Sequence, residues 1–519
     1  MKSNLTTLLT ILAFKAGMSQ TTIHGIDANW YQTPKTATTI TGVLSATNYV
    51  GGAVANNVLV KSNGAVIIFY KSGNQNKWVQ SSDGGNTWTN PGSLPTPAVF
   101  GLSTISADID QSDNIYIVWK MGNFSLGFSK FNGTSWSPTY TINTTTQNAG
   151  DTVGFSQITV DRKGRIHIMW QQGNHHNYSD NFYSTCWYAR STDGGNTFTT
   201  TQLSQNNMNY RHAAFPVADF GGTAHDTLMI AWRENINGGN LYSSWNWNVN
   251  ARISYDGGAN WNPVFTLEGS AIPGDDDQWD PNIVVDKNGV IHAFYHIYHD
   301  NTIPDYNANI MYEYSLNGGT TWSTPMQLST TNIRSHLIKT AYDYTNNYVW
   351  CTWKDEMDYG NLPNNAQADL KAVYIINTGS PVISPQEFIC DHGSGEVALH
   401  NFKVGNDGIM RATYNISKIE GKGDTIFYTQ RNTLTTGIKE NNVVNTIKVF
   451  PNPTSDQVSI LLDESIKEEN VEIKLFNLQG QLIETSKNDF KSINLPTPGV
   501  YILELKVGEI KRYEKIIRQ

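Results

Sequence analysis

Arginine, histidine, tyrosine and acidic residues gather in a few short stretches of this chain. They are "QQGNHHNYSDN" (171–181), "NYRHAAF" (209–215), "IAWREN" (230–235), "DDDQWDPNI" (275–283), "HIYHDN" (296–301) and "IRSHLI" (333–338). The types suit the handling of an anion. A guanidinium grips a carboxylate or sulfate with two parallel hydrogen bonds, so Arg211, Arg233 and Arg334 are candidate anion clamps. An imidazole titrates near working pH and a phenol can give up a proton. The candidate catalytic set is therefore His175, His176, Tyr210, Arg233 and His299. The candidate substrate-binding set is Arg211, His212, Glu234, Trp279, Asp280, Arg334 and His336, with Trp245, Trp247 and Tyr298 able to stack on sugar faces.

Plainer readings stand beside these. Arg211 and Arg334 can be structural ion-pair partners, Arg233 can pair with Glu234 or Asp280, and the His175-His176 pair can be surface residues of a long loop. Asp275 to Asp277 read as a solvated acidic turn, with structural calcium as the alternative. Asp355 and Glu356 are expected to be exposed, and His167 and His292, in matching strand slots, to be packing residues. No other cofactor and no metal site is expected.

What brings these stretches together is a repeat. "SSDGGNTW" (81–88), "STDGGNTF" (191–198), "SYDGGANW" (254–261) and "SLNGGTTW" (315–322) are near-copies, and "SKFNGTSW" (129–136) is a decayed one. Asp and the glycine pair suit a tight turn with positive φ. A strand precedes each copy, so the phrase closes a hairpin. Upstream recur "ITVDRKGRIHIMW" (158–170), "IVVDKNGVIHAFY" (283–295) and "ADIDQSDNIYIVW" (107–119), each strand, turn, strand. Four short strands per period read as the blades of a propeller. The fold class is thus all-β: a β-propeller of seven blades, with six as the alternative, starting near residues 48, 95, 150, 208, 278, 333 and 390. Residues 20–47 are a candidate closing strand. In such a ring the starts of innermost strands and the loops after second strands open on one face near the axis, where the stretches above fall. Blades one and two offer only Lys71 and Lys120 there.

The phrases resemble the Asp-box, or BNR, repeats of sialidase-type propellers, strongly over residues 48–325 and weakly over 326–438. The resemblance implies that the phrase is scaffold, remote from the substrate pocket. The Arg-Ile-Pro phrase that this family carries ahead of its first box is missing, and no arginine precedes residue 81. After a polar linker, 439–447, come "IKVFPNPTSDQVSILL", "IKLFNLQGQLI" and "GVYILELKVGEIKRYEKIIRQ". Phe450-Pro451-Asn452-Pro453, Gly480 and Gly499-Val500-Tyr501 resemble the C-terminal sorting domain of the type IX secretion system of Bacteroidetes. That implies a small β-sandwich over 448–519 and the secretion machinery as a partner.

The chain start agrees with export. Residues 1–19 read as a signal peptide: Lys2, an apolar run from Leu5 to Phe14, then Gly17-Met18-Ser19. The propeller would span 20–438. No segment is apolar enough to span a membrane. Net charge is −9 with no dense Lys/Arg cluster, which argues against nucleic acid. Cys186, Cys351 and Cys390 fit no metal spacing and read as three buried thiols, with one disulfide as the alternative. The combined expectation is a secreted propeller acting on a polysaccharide or glycan substrate that is anionic. Resemblance to secreted propellers such as the ulvan lyases implies β-elimination at a uronate. Sialidase-like hydrolysis and glycan binding without catalysis are the alternatives.

Overall fold

The computed structural model describes residues 26–39, 56–95, 105–143, 151–174, 183–204, 212–235, 247–267, 276–299, 308–329, 334–356, 368–376, 381–390, 396–417, 425–431, 447–462, 471–477, 481–487, 492–507 and 510–519, apart from 28, 32, 33, 73, 74 and 123. They form two compact units, 1–433 and 434–519.

Among the described residues the first unit holds seven antiparallel groups. Blade one is Val58–Val60, Val66–Ser72 and Gln75–Ser81, with Thr89 bridging Gln80. Blade two is Ser106–Ile109, Ile115–Lys120, Ser125–Phe131 and Tyr140–Asn143. Blade three is Thr152–Val160, Ile166–Asn174, Tyr183–Ser191 and Thr199–Gln202. Blade four is His212–Gly221, Thr227–Asn235, Trp247–Ser254 and Phe265–Thr266. Blade five is Asp276–Val285, Ile291–His299, Ala308–Ser315 and Met326–Gln327. Blade six is Arg334–Asp343, Tyr348–Glu356, Ala368–Ile376 and Val382–Ile383, with Glu387–Cys390 on the same third strand. Blade seven is Glu396–Val404, Met410–Ser417 and Thr425–Gln430.

The first strands touch in cyclic order, and that of blade seven touches that of blade one, so the ring is closed. The fourth strand of blade seven comes from the chain start: Lys35–Thr39 pairs antiparallel with Thr425–Gln430. Nearby, Glu387 takes hydrogen bonds from Trp30 Nε1 (2.9 Å) and from Arg431 Nε and Nη2 (2.8 and 2.7 Å). Polar side chains also clamp one first strand to the next. Asp108 accepts from the Val160 amide (2.8 Å), Gln157 from Ala218 (2.9 Å) and Asp219 from Val285 (2.9 Å), while Asn282 donates to the Ile338 carbonyl (3.0 Å).

The repeated phrase is a hydrogen-bonded knot. In 191–198 the Ser191 hydroxyl donates to Asp193 (2.8 Å) and accepts from the Gly195 amide (2.9 Å). Asp193 accepts from the Thr197 amide (3.0 Å) and hydroxyl (2.6 Å). Those Thr197 bonds, with Ser191, hold the Asp193 carboxyl well below its ordinary range. The second glycine of each phrase has a separate duty. At Gly258, with φ +82°, an added Cβ would lie 1.9 Å from the hydroxyl of Tyr188 in the preceding blade. Gly195 meets Phe128 in the same way. The phrase thus joins blades as well as strands, at the end of each blade opposite the sequence-predicted site. Gly258→Ala should lower stability by about 2 kcal/mol or more, through strain at positive φ plus overpacking; an unchanged thermal melt would remove this role. The predicted packing histidines are packed: His167 bonds the Tyr188 hydroxyl (2.8 Å) and His292 the Tyr312 hydroxyl (2.8 Å). All three cysteines are buried thiols outside any disulfide.

The second unit is a β-sandwich. Ile447–Phe450, Gln457–Leu462 and Ser492–Asn494 form one sheet. Val471–Asn477, Leu482–Lys487, Gly499–Val507 and Ile510–Arg518 form the other. Val458, Ile460, Ile473, Leu475, Leu503 and Ile516 close one core between them.

Candidate functional site

The first strands start, the second strands end and the third strands start on one face. Three parallel bridges stitch neighbouring blades there: Ser184 to His212, Ala308 to Arg334 and Ala368 to Glu396. Just inside this face the first strands of four consecutive blades break register in the same way. Each places one residue in the left-handed region: Phe155 (φ 49°), Phe215 (55°), Asp280 (46°) and Leu337 (55°). Bulky residues avoid that region, so Phe155, Phe215 and Leu337 are genuine outliers, of the kind that concentrates at functional sites. A bulge re-aims the side chains around it.

Opposite the residue before each outlier stands one second-strand residue: Gln171 across from Gly154, Arg233 from Ala214, His296 from Trp279 and Lys354 from His336. Each follows a buried aromatic, Trp170, Trp232, Tyr295 or Trp353. Each also reaches the first strand of the next blade. Gln171 Nε2 lies 3.1 Å from His212 Nε2. The Arg233 guanidinium lies 3.8 Å from the centroid of Trp279, and 4.2 and 4.7 Å from those of Phe215 and Trp247. His296 stacks on Trp279 (6.4 Å) and meets His336 edge-on (6.4 Å). Lys354 acts electrostatically on His400.

The result is a buried arc of basic side chains. Arg233 is 7% exposed, His296 1%, His336 2%, Lys339 4%, Lys354 0% and His400 5%. Burial pushes the His296 imidazole well down, and the charges of His336, Arg334 and Arg233 push it further. His400 falls to about 3 through burial and then Lys339, His336 and Lys354. Lys339 falls to about 7 through burial, opposed by Asp280. Two acids beside the arc are pinned. Glu234 accepts from Trp232 Nε1 (2.9 Å) and Asn250 Nδ2 (2.8 Å). Asp355 accepts from Ser335 (2.6 Å) and Trp353 Nε1 (2.7 Å) and pairs with Lys371 (2.6 Å).

The structure thus brings together Arg233, Trp279, Asp280, His336 and Arg334 from the predicted set. His212 is turned to Gln171 and, edge-on at 5.2 Å, to Trp247. Three expectations are corrected. Asp355 is buried, because it holds Lys371 and two neighbours on its own blade. Trp247 is 2% exposed and floors Arg233, so its face is not open to a sugar. Arg233, which the sequence reading places on the face that opens near the axis, is instead gripped by three rings and 7% exposed. His175, His176, Tyr210, Arg211, Trp245 and Asp275 lie outside the described residues, as do the side chains of Lys71, Asp276, Asp277, Tyr298, His299 and Glu356. Sequence reasoning missed Lys339, Lys354 and His400. It also missed the buried Tyr183 hydroxyl that donates to Asp151 at the start of blade three. Lys354 had a signal, since it follows Trp353 as Arg233 follows Trp232. A cavity of about 210 Å³ opens at the other end of the axis, with Lys339 also in its lining. Asp108 and Asp219 in its wall are engaged in the strand clamps, which makes it part of the scaffold.

Residues 448–519 match the family described as the secretion system C-terminal sorting domain. No curated protein matches the chain. Among solved structures, a polysaccharide lyase of family PL25, an ulvan lyase, is 11% identical, with TM-score 0.49, 79% of this chain covered and 96% of that one. The α-L-arabinofuranosidase Arb93A from Fusarium graminearum is 12% identical, with TM-score 0.40 and coverage of 65% and 98%. A leech intramolecular trans-sialidase is 11% identical, with TM-score 0.36 and coverage of 73% and 69%. Among the described residues no helix is long and apolar enough to cross a membrane. The sorting domain makes this a protein that is secreted or attached to the outer cell surface. Deleting 448–519 should leave a propeller that folds but stays inside the native cell; normal export of the truncated chain would sink that role.

Proposed function

We propose that this exported propeller cleaves a uronate-containing polysaccharide by β-elimination. The observation that carries the reading is Arg233, a guanidinium held between Phe215, Trp247 and Trp279 on the axial face, beside His296, His336 and Arg334. Removal of a uronate C5 proton leaves charge that spreads into the adjacent carboxylate. A fixed cation on that carboxylate stabilises the transition state more than the ground state. A base takes the C5 proton, a double bond forms between C4 and C5, and the C4–O4 bond breaks with a proton delivered to O4. His296 is held neutral by burial and by the charges of His336, Arg334 and Arg233, so it lines the face as an uncharged imidazole. By chain position Tyr210, His175, His176 and His299 are assigned the proton transfers, with Arg211 as a further clamp.

Hydrolysis by a two-carboxylate mechanism needs free acids, and two of the acids beside the arc are engaged. Glu234 and Asp355 are each held by a tryptophan Nε1 of their own strand. The Asp-box reading of the repeated phrase belongs to the same proposal: it makes the hairpins scaffold for this face. Purified protein on uronate polysaccharides should generate the ultraviolet absorbance of an unsaturated uronate. New reducing ends without that absorbance would replace elimination by hydrolysis, and binding with neither product would replace catalysis by recognition.

A further inference from the structure

We infer that Lys120, Gly154 and Phe155, where blade two meets blade three, form a second subsite on the axial face, which takes the ring and acidic group of another sugar of the same polyanionic chain. This subsite rests on the reading of the face as a polysaccharide site and lies on its blade-two side. Lys120 ends the second strand of blade two and follows the buried Trp119, as Arg233 follows Trp232 and Lys354 follows Trp353. It therefore stands in the slot that Gln171, Arg233, His296 and Lys354 fill in blades three to six. Those four are buried, whereas Lys120 is part-exposed.

The reason lies in blade three. Just before its left-handed residue this blade has Gly154, where blades four, five and six have Ala214, Trp279 and His336. Trp279 and His336 are the side chains that meet Arg233 and His296 from the next blade. The second strand of blade two packs on the first strand of blade three, but Gly154 brings no ring to cover Lys120. Gly154 and Phe155 are both part-exposed. Burial lowers the Lys120 ammonium from its ordinary value, and among the described residues no charge opposes or adds to that. Phe155 meets Phe215 with ring centroids 4.5 Å apart, and the Arg233 guanidinium lies 4.2 Å from the Phe215 centroid. The notch is thus continuous with the Arg233 cage through two aromatic rings. The apolar face of a pyranose can lie on such a ring. An ammonium is a compact charge that takes a carboxylate or a sulfate ester without a planar fork. One sugar on Phe155 with its acidic group at Lys120, and a uronate at Arg233, makes the preferred substrate a chain with acidic groups on separate sugars.

The test uses the full-length protein in affinity electrophoresis and calorimetry. Alginate supplies carboxylates without sulfate, dextran sulfate supplies sulfates without uronate, and chondroitin sulfate carries both. Lys120→Gln should weaken the hold on a bound polymer about tenfold, the loss of a hydrogen bond to a charged group, and make it less sensitive to salt. Lys120→Arg should retain the hold. The polymer that loses more names the group at Lys120. The melting temperature of Lys120→Gln should match the parent, which a merely structural lysine would not allow. Gly154→His, which gives blade three the residue of blade six, should weaken the hold as well, and Lys120→Gln carries the test should that variant fail to fold. On a substrate that is eliminated, Lys120→Gln should raise KM more than it lowers kcat, the reverse of Arg233→Ala. Equal binding by parent and Lys120→Gln with the same salt dependence, or a parent that binds none of the three polymers, would overturn the subsite whatever the elimination assay shows. Binding that weakens in Lys120→Gln, without any unsaturated product from the parent, would keep the subsite and discard the lyase.

Discussion

Arg233→Ala is expected to lower turnover on a uronate polysaccharide by about hundredfold or more, because the cation that meets the developing negative charge is removed. Arg233→Lys should already be impaired: it keeps the charge but loses the planar fork and the ring contacts. The three-ring cage changes what accompanies this loss. Truncation to alanine leaves a gap against Phe215, Trp247 and Trp279, so a lower melting temperature is expected as well. The two effects separate by temperature. Well below the melt a folded variant with a purely structural defect recovers its turnover, whereas a chemical defect persists. Near-normal rates at low temperature in a destabilised Arg233→Ala protein would take Arg233 out of the chemistry.

The second large effect is expected at the seam of the ring. Glu387→Ala removes the acceptor shared by Trp30 and Arg431 and leaves a guanidinium that is 4% exposed without its carboxylate. Breaking one side of such a buried pair costs about 3–5 kcal/mol. Deleting 26–39 goes further, since it strips the outer strand from Thr425–Gln430 and exposes a bare edge. Glu387→Ala should therefore melt lower and be cut faster by protease, and the deletion should aggregate or fail to fold. A deletion variant with the parent melt would show that the seam contributes nothing.

The scaffold was largely legible in the chain. The S-x-D-x-G-x-T-W phrase encodes its own turn through local hydrogen bonds, so it could be read without tertiary information. The same holds for the Asx turns between first and second strands, and together they set the blades. The left-handed residues were not legible. Phe155, Phe215, Asp280 and Leu337 share no side-chain chemistry, and neither Phe nor Leu favours positive φ, so the conformation comes from packing around the axis. Lys339 was hidden for the same reason, because its place is defined by the bulge two residues earlier. Arg233, His336 and Arg334 were found because charge is scarce on this chain. The cage around Arg233 was not, because Trp247 and Trp279 read equally well as surfaces for a sugar.

The closing strand also sets an order of events. Lys35–Thr39 is made first among the described strands, and its partner Thr425–Gln430 last among those of the propeller. Nearly the whole ring must be synthesised before that pairing can form, and closing so long a loop is entropically costly and slow. Until then the early strand has no mate. The sorting domain begins at residue 448, just after the mate appears. A chain that ends early, anywhere in the ring, therefore lacks both the mate of the closing strand and the sorting domain. Ring closure and the export address arrive together, so a chain cut short within the ring carries no sorting domain.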